Sequence, residues 1–155
     1  MAVDLSGLPA RRGPRPGTTG REVPHDQLED FSPPGIRAAL VAYAEGLPGV
    51  RTGPSLVSEP GSLALRLHRE EQPFEAFLHP SVDEFGHIHR SGFLHLTVPA
   101  PDLAVLTELG WTEPHPISRR AEFPDTIVML YAPRDEEELA VARTVLRASY
   151  DQAAA

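Results

Sequence analysis

An α+β domain is what this sequence predicts: a mostly antiparallel sheet of about five or six strands with helices packed on one face. Three observations lead there. The chain has 155 residues, 41% of them hydrophobic and 23% charged, which suits one core and a single domain. Apolar stripes at helical spacing stand near both ends of the folded part. Between them run short apolar or alternating segments cut by Gly and Pro.

Taken in order, residues 1–23 read as a disordered arm. The stretch Leu8-Pro9-Ala10-Arg11-Arg12-Gly13-Pro14-Arg15-Pro16-Gly17 offers little to bury and much that breaks helices and strands. The domain then spans 24–151. Ser32 as N-cap and Pro33 in the first turn open a helix whose buried stripe is Ile36, Ala39, Leu40, Tyr43 and Leu47. Gly46 to Gly49 end it. Segments 50–57 and 63–67 read as strands about the breaker Ser58-Glu59-Pro60-Gly61, and 74–78 as a third, short strand. Segment 84–98 reads as two strands folded about Arg90-Ser91-Gly92. Pro101 opens a short helix closed by Gly110. Residues 126–131 form a buried strand. In the last helix, Asp135 and Glu138 are spaced as a capping box, and Leu139, Ala142, Leu146 and Tyr150 form the buried stripe.

Composition narrows the function. With 22 acidic against 14 basic residues the net charge is −8, which disfavours nucleic acid and an anionic membrane face alike. The start of the chain does not read as a signal peptide, and no apolar run is long enough to span a bilayer. A cytoplasmic location is the expectation. The absence of cysteine removes disulfides, thiolate catalysis and iron–sulfur clusters. Every basic residue is arginine, which points to a GC-rich bacterial genome. No G-x-S-x-G elbow, P-loop or dinucleotide fingerprint is present.

The chemistry resides in histidine. His87, His89 and His95 lie within nine residues, and His115 follows in Gly110-Trp111-Thr112-Glu113-Pro114-His115-Pro116. On a strand His87 and His89 leave from one face. A two-residue loop Ser91-Gly92 sends His95 to the opposite face. A three-residue loop Ser91-Gly92-Phe93 pairs His89 with His95, puts all three on one surface and is the reading adopted. Such a cluster serves as proton acceptor toward an acidic organic substrate, as a metal site at His87, His89 and His95, or as ordinary surface residues. Asp83, Glu84 and Glu113 are near enough to orient the rings. Trp111, Tyr131 and Arg134 are candidate substrate contacts, with Trp111 alternatively a core residue and Arg134 either the holder of an oxyanion or the partner of Glu137 or Glu138. His68 and His79 have no distinguishing spacing, and His25, at the edge of the arm, reads as solvated. The expected partner is a small molecule, with no cofactor beyond the metal alternative. Oligomeric state is open.

Phe85-Gly86-His87-Ile88-His89, Leu94-His95-Leu96, Leu109-Gly110-Trp111, His115-Pro116 and Tyr131-Ala132-Pro133-Arg134-Asp135-Glu136-Glu137-Glu138 together resemble the luciferase domain of fungal bioluminescence luciferases, over about residues 84–150. The resemblance implies a cofactor-independent oxygenase that adds dioxygen to a hydroxylated styrylpyrone, giving a peroxide that loses CO₂ with light. It implies that His87, His89, His95 and His115 act as base, acid or peroxide-stabilising groups while Tyr131 and Arg134 hold the enolate. The fungal proteins differ in a longer N-terminal part with an apolar segment, and their loop between the positions of His89 and His95 is longer by an even number of residues. For this chain the expectation is therefore a histidine-lined pocket acting on a small aromatic or enolisable molecule, or a non-catalytic binding module of the same fold.

Overall fold

The computed structural model describes residues 4–155 and bears out the α+β expectation. The chain runs α1 (Pro34–Glu45), β1 (Arg51–Pro54), β2 (Leu63–Arg66), β3 (Glu84–Ile88), β4 (Leu94–Thr97), α2 (Leu103–Glu108), β5 (Thr112–Pro114), β6 (Ile127–Leu130) and α3 (Glu136–Ala154). All six strands form one antiparallel sheet in the order β1-β2-β3-β4-β6-β5.

Two elements differ from the sequence reading. Residues Phe74–Ala76 form a 3-10 turn behind Pro73 in place of a strand; three residues after a proline, with no partner strand beside them, close i→i+3 bonds locally. The sixth strand is instead β5, whose ladder with β6 sets Thr112 opposite Leu130 and Pro114 opposite Val128. Its three residues carry too little alternation to announce themselves. Helix α1 also begins one residue later than expected: Pro33 occupies the cap, and the Ser32 hydroxyl donates to the Pro133 carbonyl at 2.6 Å.

The sheet has two faces with different duties. Phe85, Ile88, Leu94, Leu96, Val128 and Leu130 point to one side, where α1 and α3 bury them with Leu40, Leu139, Val145 and Leu146. Helix α3 starts as expected, Asp135 accepting the Glu138 backbone N–H at 2.9 Å. Strand alternation then sends His87, His89, His95, Ile127 and Met129 to the other side. That face is roofed by chain from the N-terminal arm and from the loops between β1 and β3.

The arm expected to be disordered lies against the domain in residues 4–23; residues 1–3 fall outside the described residues. Leu5 is 1% exposed and joins the core. The Trp111 indole N–H donates to the Pro9 carbonyl at 2.7 Å, and Arg15 donates to the Thr112 carbonyl at 2.7 Å. A segment rich in Pro and Arg thus orders through a few anchors: Leu5 in the core, and Pro9 and Arg15 against Trp111 and Thr112. Composition, which counts average hydrophobicity, does not register single anchors.

Candidate active site

The loop between β3 and β4 decides the site. Its three residues are Arg90-Ser91-Gly92: Gly92 N–H donates to the His89 carbonyl at 3.0 Å and His89 N–H to the Phe93 carbonyl at 2.9 Å. Gly92 has φ +103°, which an L side chain rarely adopts. The odd length keeps His87, His89 and His95 on one face, as the parity argument requires. The register is one pair away from the expected one: His95 stands opposite His87, and Phe93 opposite His89. Gly92 closes the loop one residue earlier because it alone accepts that φ.

His87, His89 and His95 are each 4% exposed, and His115 comes within a ring-centroid distance of 4.4 Å of His95. A fifth ring joins them. His25 is 2% exposed, not solvated, and its Nδ1 lies 3.1 Å from His95 Nε2. Nothing in the sequence marks it, since it stands 62 residues before His87 on a segment without periodicity. These rings form part of the wall of a cavity of about 700 Å³, with Val23, Leu56, Val57, Leu78 and Phe123 among the apolar lining. Val23 and Leu56 are 70% and 80% exposed, so the mouth is apolar as well.

Hydrogen-bond partners fix the ring tautomers. Glu84 Oε2 accepts from Ser55 at 2.8 Å and faces His87 Nδ1 at 2.7 Å, so His87 Nδ1 carries a proton and its Nε2 turns a lone pair inward. At the other end Glu113 accepts from Tyr131 at 2.9 Å and from Thr18 at 3.0 Å, and meets His25 Nε2 at 2.8 Å. With neutral rings, His25 Nδ1 then accepts the proton of His95 Nε2, and His95 Nδ1 also faces inward as a lone pair. His89 has Ser62 Oγ at 3.4 Å and Glu59 at 3.9 Å from Nδ1, acceptors that leave Nε2 free as well. His95 Nδ1 is 3.1 Å from both His87 Nε2 and His89 Nε2. Lone pairs therefore meet head to head, and a positive charge at their centre relieves the clash. His115 differs: its Nδ1 accepts the Ile117 backbone N–H at 3.0 Å, so its Nε2 carries the proton and acts as a donor.

Burial pushes His89 down to about 3, with the neighbouring His87, His115 and His25 adding to it, and lowers His95 well below the usual range for the same reasons. Burial, then His25 and His87, take His115 to about 3. Burial alone would raise Glu113, but hydrogen bonds from His25, Tyr131 and Thr18 outweigh it and hold the carboxyl low.

Of the other candidates, Glu84 and Glu113 do orient rings, whereas Asp83 pairs with Arg51 at 2.7 Å. His79 lines the cavity, its Nδ1 2.7 Å from Ser81 Oγ; His68 is exposed beside Glu70. Tyr131 reaches the cluster only through Glu113, and burial lifts its hydroxyl to about 12. Trp111 and Arg134 do not line the cavity. Trp111 holds the arm, and Arg134 is taken by Glu138, with Nε 2.9 Å from Oε1, and by the Arg12 carbonyl at 2.8 Å. The acidic helix entry that follows Arg134 in sequence supplies its partner, which leaves no free guanidinium for an oxyanion. The structure shows histidine groups with the spacing of metal ligands, His87, His89 and His95 among them. Among the described residues no helix is long and apolar enough to cross a membrane.

Residues 82–149 match the family model described as Luciferase domain. Proteins named luciferase from Armillaria mellea and Armillaria ostoyae are each 29% identical to this chain over 168 residues, and one from Armillaria gallica is 28% identical over 167. These alignments cover 94% of this chain and 60% of each relative, so the chain spans about 60% of the length of the curated relatives it matches. The likeness thus extends well upstream of residue 84. No solved structure matches.

Proposed function

We propose, for a chain whose residues 82–149 match the Luciferase domain model, that the cavity binds a small aromatic or enolisable molecule as its anion and exposes it to dioxygen. The observation that carries this reading is the convergence of His25, His87, His89, His95 and His115 on one largely apolar cavity of about 700 Å³. That volume lies within the range of small-ligand sites. Burial keeps the empty cluster neutral, and a bound organic anion supplies the counter-charge with which the proton it gives up is held at the lone-pair centre of His87, His89 and His95. His115 Nε2–H is a further donor for the anion's oxygen. Apolar walls at Leu78, Ile127 and Phe123 suit a flat hydrocarbon body.

The chemistry follows from those surroundings. Removing the acidic proton of a phenol or enol makes the molecule electron-rich enough to give electrons to dioxygen, both oxygen atoms ending on the organic product. Apolar walls that disfavour water keep a peroxide from premature hydrolysis. The test offers the purified protein a panel of hydroxypyrones and polyphenols and records both absorbance and oxygen uptake. The reading expects at least one compound to bind in its anionic form below its solution pKa and to draw oxygen from the medium. Binding without oxygen uptake reduces the protein to a ligand-binding module, and neither binding nor uptake overturns the reading.

A further inference from the structure

We infer that His87 Nε2, His89 Nε2 and His95 Nδ1 together bind one divalent first-row transition-metal ion, with its remaining coordination positions open to the cavity. This goes beyond the proposed function, stands on the geometry of the cluster alone, and replaces the expectation of a cofactor-free centre.

Three observations on the donor atoms carry it. The first is spacing. Nitrogens bound to one metal at about 2.0–2.1 Å stand about 2.8–3.4 Å apart, depending on whether the angle is near octahedral or tetrahedral. His95 Nδ1 lies 3.1 Å from each of its two neighbours, and all three atoms lie within 4.8 Å of one another. A proton held between two rings answers only one pair and leaves the third lone pair unmatched.

The second is support from behind. A metal-bound imidazole usually gives its other N–H to a carboxylate, carbonyl or hydroxyl that fixes the ring. Each of the three has such a partner: Glu84 for His87, Ser62 for His89, and the His25–Glu113 pair for His95. Two of these supports end in carboxylates, which bring negative charge toward the cation.

The third is that a neighbouring set fails the same criteria. His25, His95 and His115 also converge. His115 Nδ1, however, accepts the Ile117 N–H, so its Nε2 is protonated and cannot ligate. An all-nitrogen set without carboxylate ligands selects zinc, iron(II), cobalt, nickel or copper over magnesium or calcium, which prefer oxygen.

Metal-free full-length protein without an affinity tag, titrated with Co²⁺ alone, tests the site. The expected result is one saturable equivalent with the visible bands of a nitrogen-ligated cobalt site, displaced by Zn²⁺. His87→Ala, His89→Ala and His95→Ala should each lower the affinity by more than about 100-fold, beyond the range for outer partners. His68→Ala, at an exposed residue outside the cavity lining, should leave it unchanged. Should the cluster variants fail to fold, X-ray absorption on the wild-type zinc complex reads the ligands directly, with three imidazoles expected. No saturable binding, affinity unmoved in the folded alanine variants, or fewer than three imidazoles overturns the inference. Binding of hydroxypyrones by metal-free protein is read separately, so the loss of one proposal leaves the other standing.

Discussion

Glu84 and His87 are three residues apart on β3, a spacing that on a regular strand sends side chains to opposite faces, yet Glu84 Oε2 lies 2.7 Å from His87 Nδ1. The cause is a bulge. Leu65 pairs with Gly86 and Arg66 with Glu84, so Phe85 has no partner on β2. The extra residue resets the alternation, turns Phe85 into the core against Tyr150, and delivers Glu84 to the histidine face.

Glu84→Gln removes the negative charge behind His87 and one of the two acceptor oxygens while keeping the shape of the side chain. Cobalt affinity is expected to fall about 10–100-fold, as for other outer carboxylates. An unchanged affinity in the titration would separate Glu84 from the centre.

Gly92→Ala places a Cβ at φ +103° and into the Ser32 side chain. Backbone strain and overlap together are expected to cost about 2 kcal/mol, or about 4–8 °C in melting temperature for a domain of this size. Calorimetry checks this, and a change under a degree would mean the loop relaxes freely.

Leu5→Ala examines the arm. A leucine 1% exposed in the core is expected to contribute about 2–5 kcal/mol on truncation. Urea unfolding reads it; a loss under about 0.5 kcal/mol is what a solvated tail would give.

Acid stability should depend on Glu138. Burial would raise its carboxyl, but hydrogen bonds from the Arg134 side chain and backbone, with the charges of Arg134 and Arg11, lower it below 4.5. Arg12 stands 3.8 Å away, and Asp135 caps the same helix. A depressed carboxyl contributes stability that is present above the unfolded value and lost as pH falls through the folded one. Stability should therefore decline below pH 4.5, and Glu138→Gln should flatten that decline in acid unfolding curves.

How much of this was legible in the sequence depends on the range of the signal. The helices and the strands at 63–67, 84–98 and 126–131 carry their own periodicity, and the same-face placement of His87, His89 and His95 follows from counting. Glu84 and Glu113 were visible as nearby carboxylates, although β3 parity alone would have excluded Glu84. His25 and the ordered arm were not legible, because each depends on contacts across the whole chain: His25 on Glu113, Trp111 on Pro9. Arg134 was legible as far as its alternatives, an oxyanion or a nearby glutamate, and the structure gives it Glu138, only four residues away.

The bulge at Phe85 lies on one of the two strands that carry the lone-pair centre and Gly92 in the loop that joins them, while Val23, Leu56, Val57 and Leu78 come from outside the matched stretch 82–149. Much of the roof and most of the histidines thus come from different stretches of the polypeptide. A descendant could exchange the roofing loops between β1 and β3 for a differently shaped guest and leave all five histidines in place.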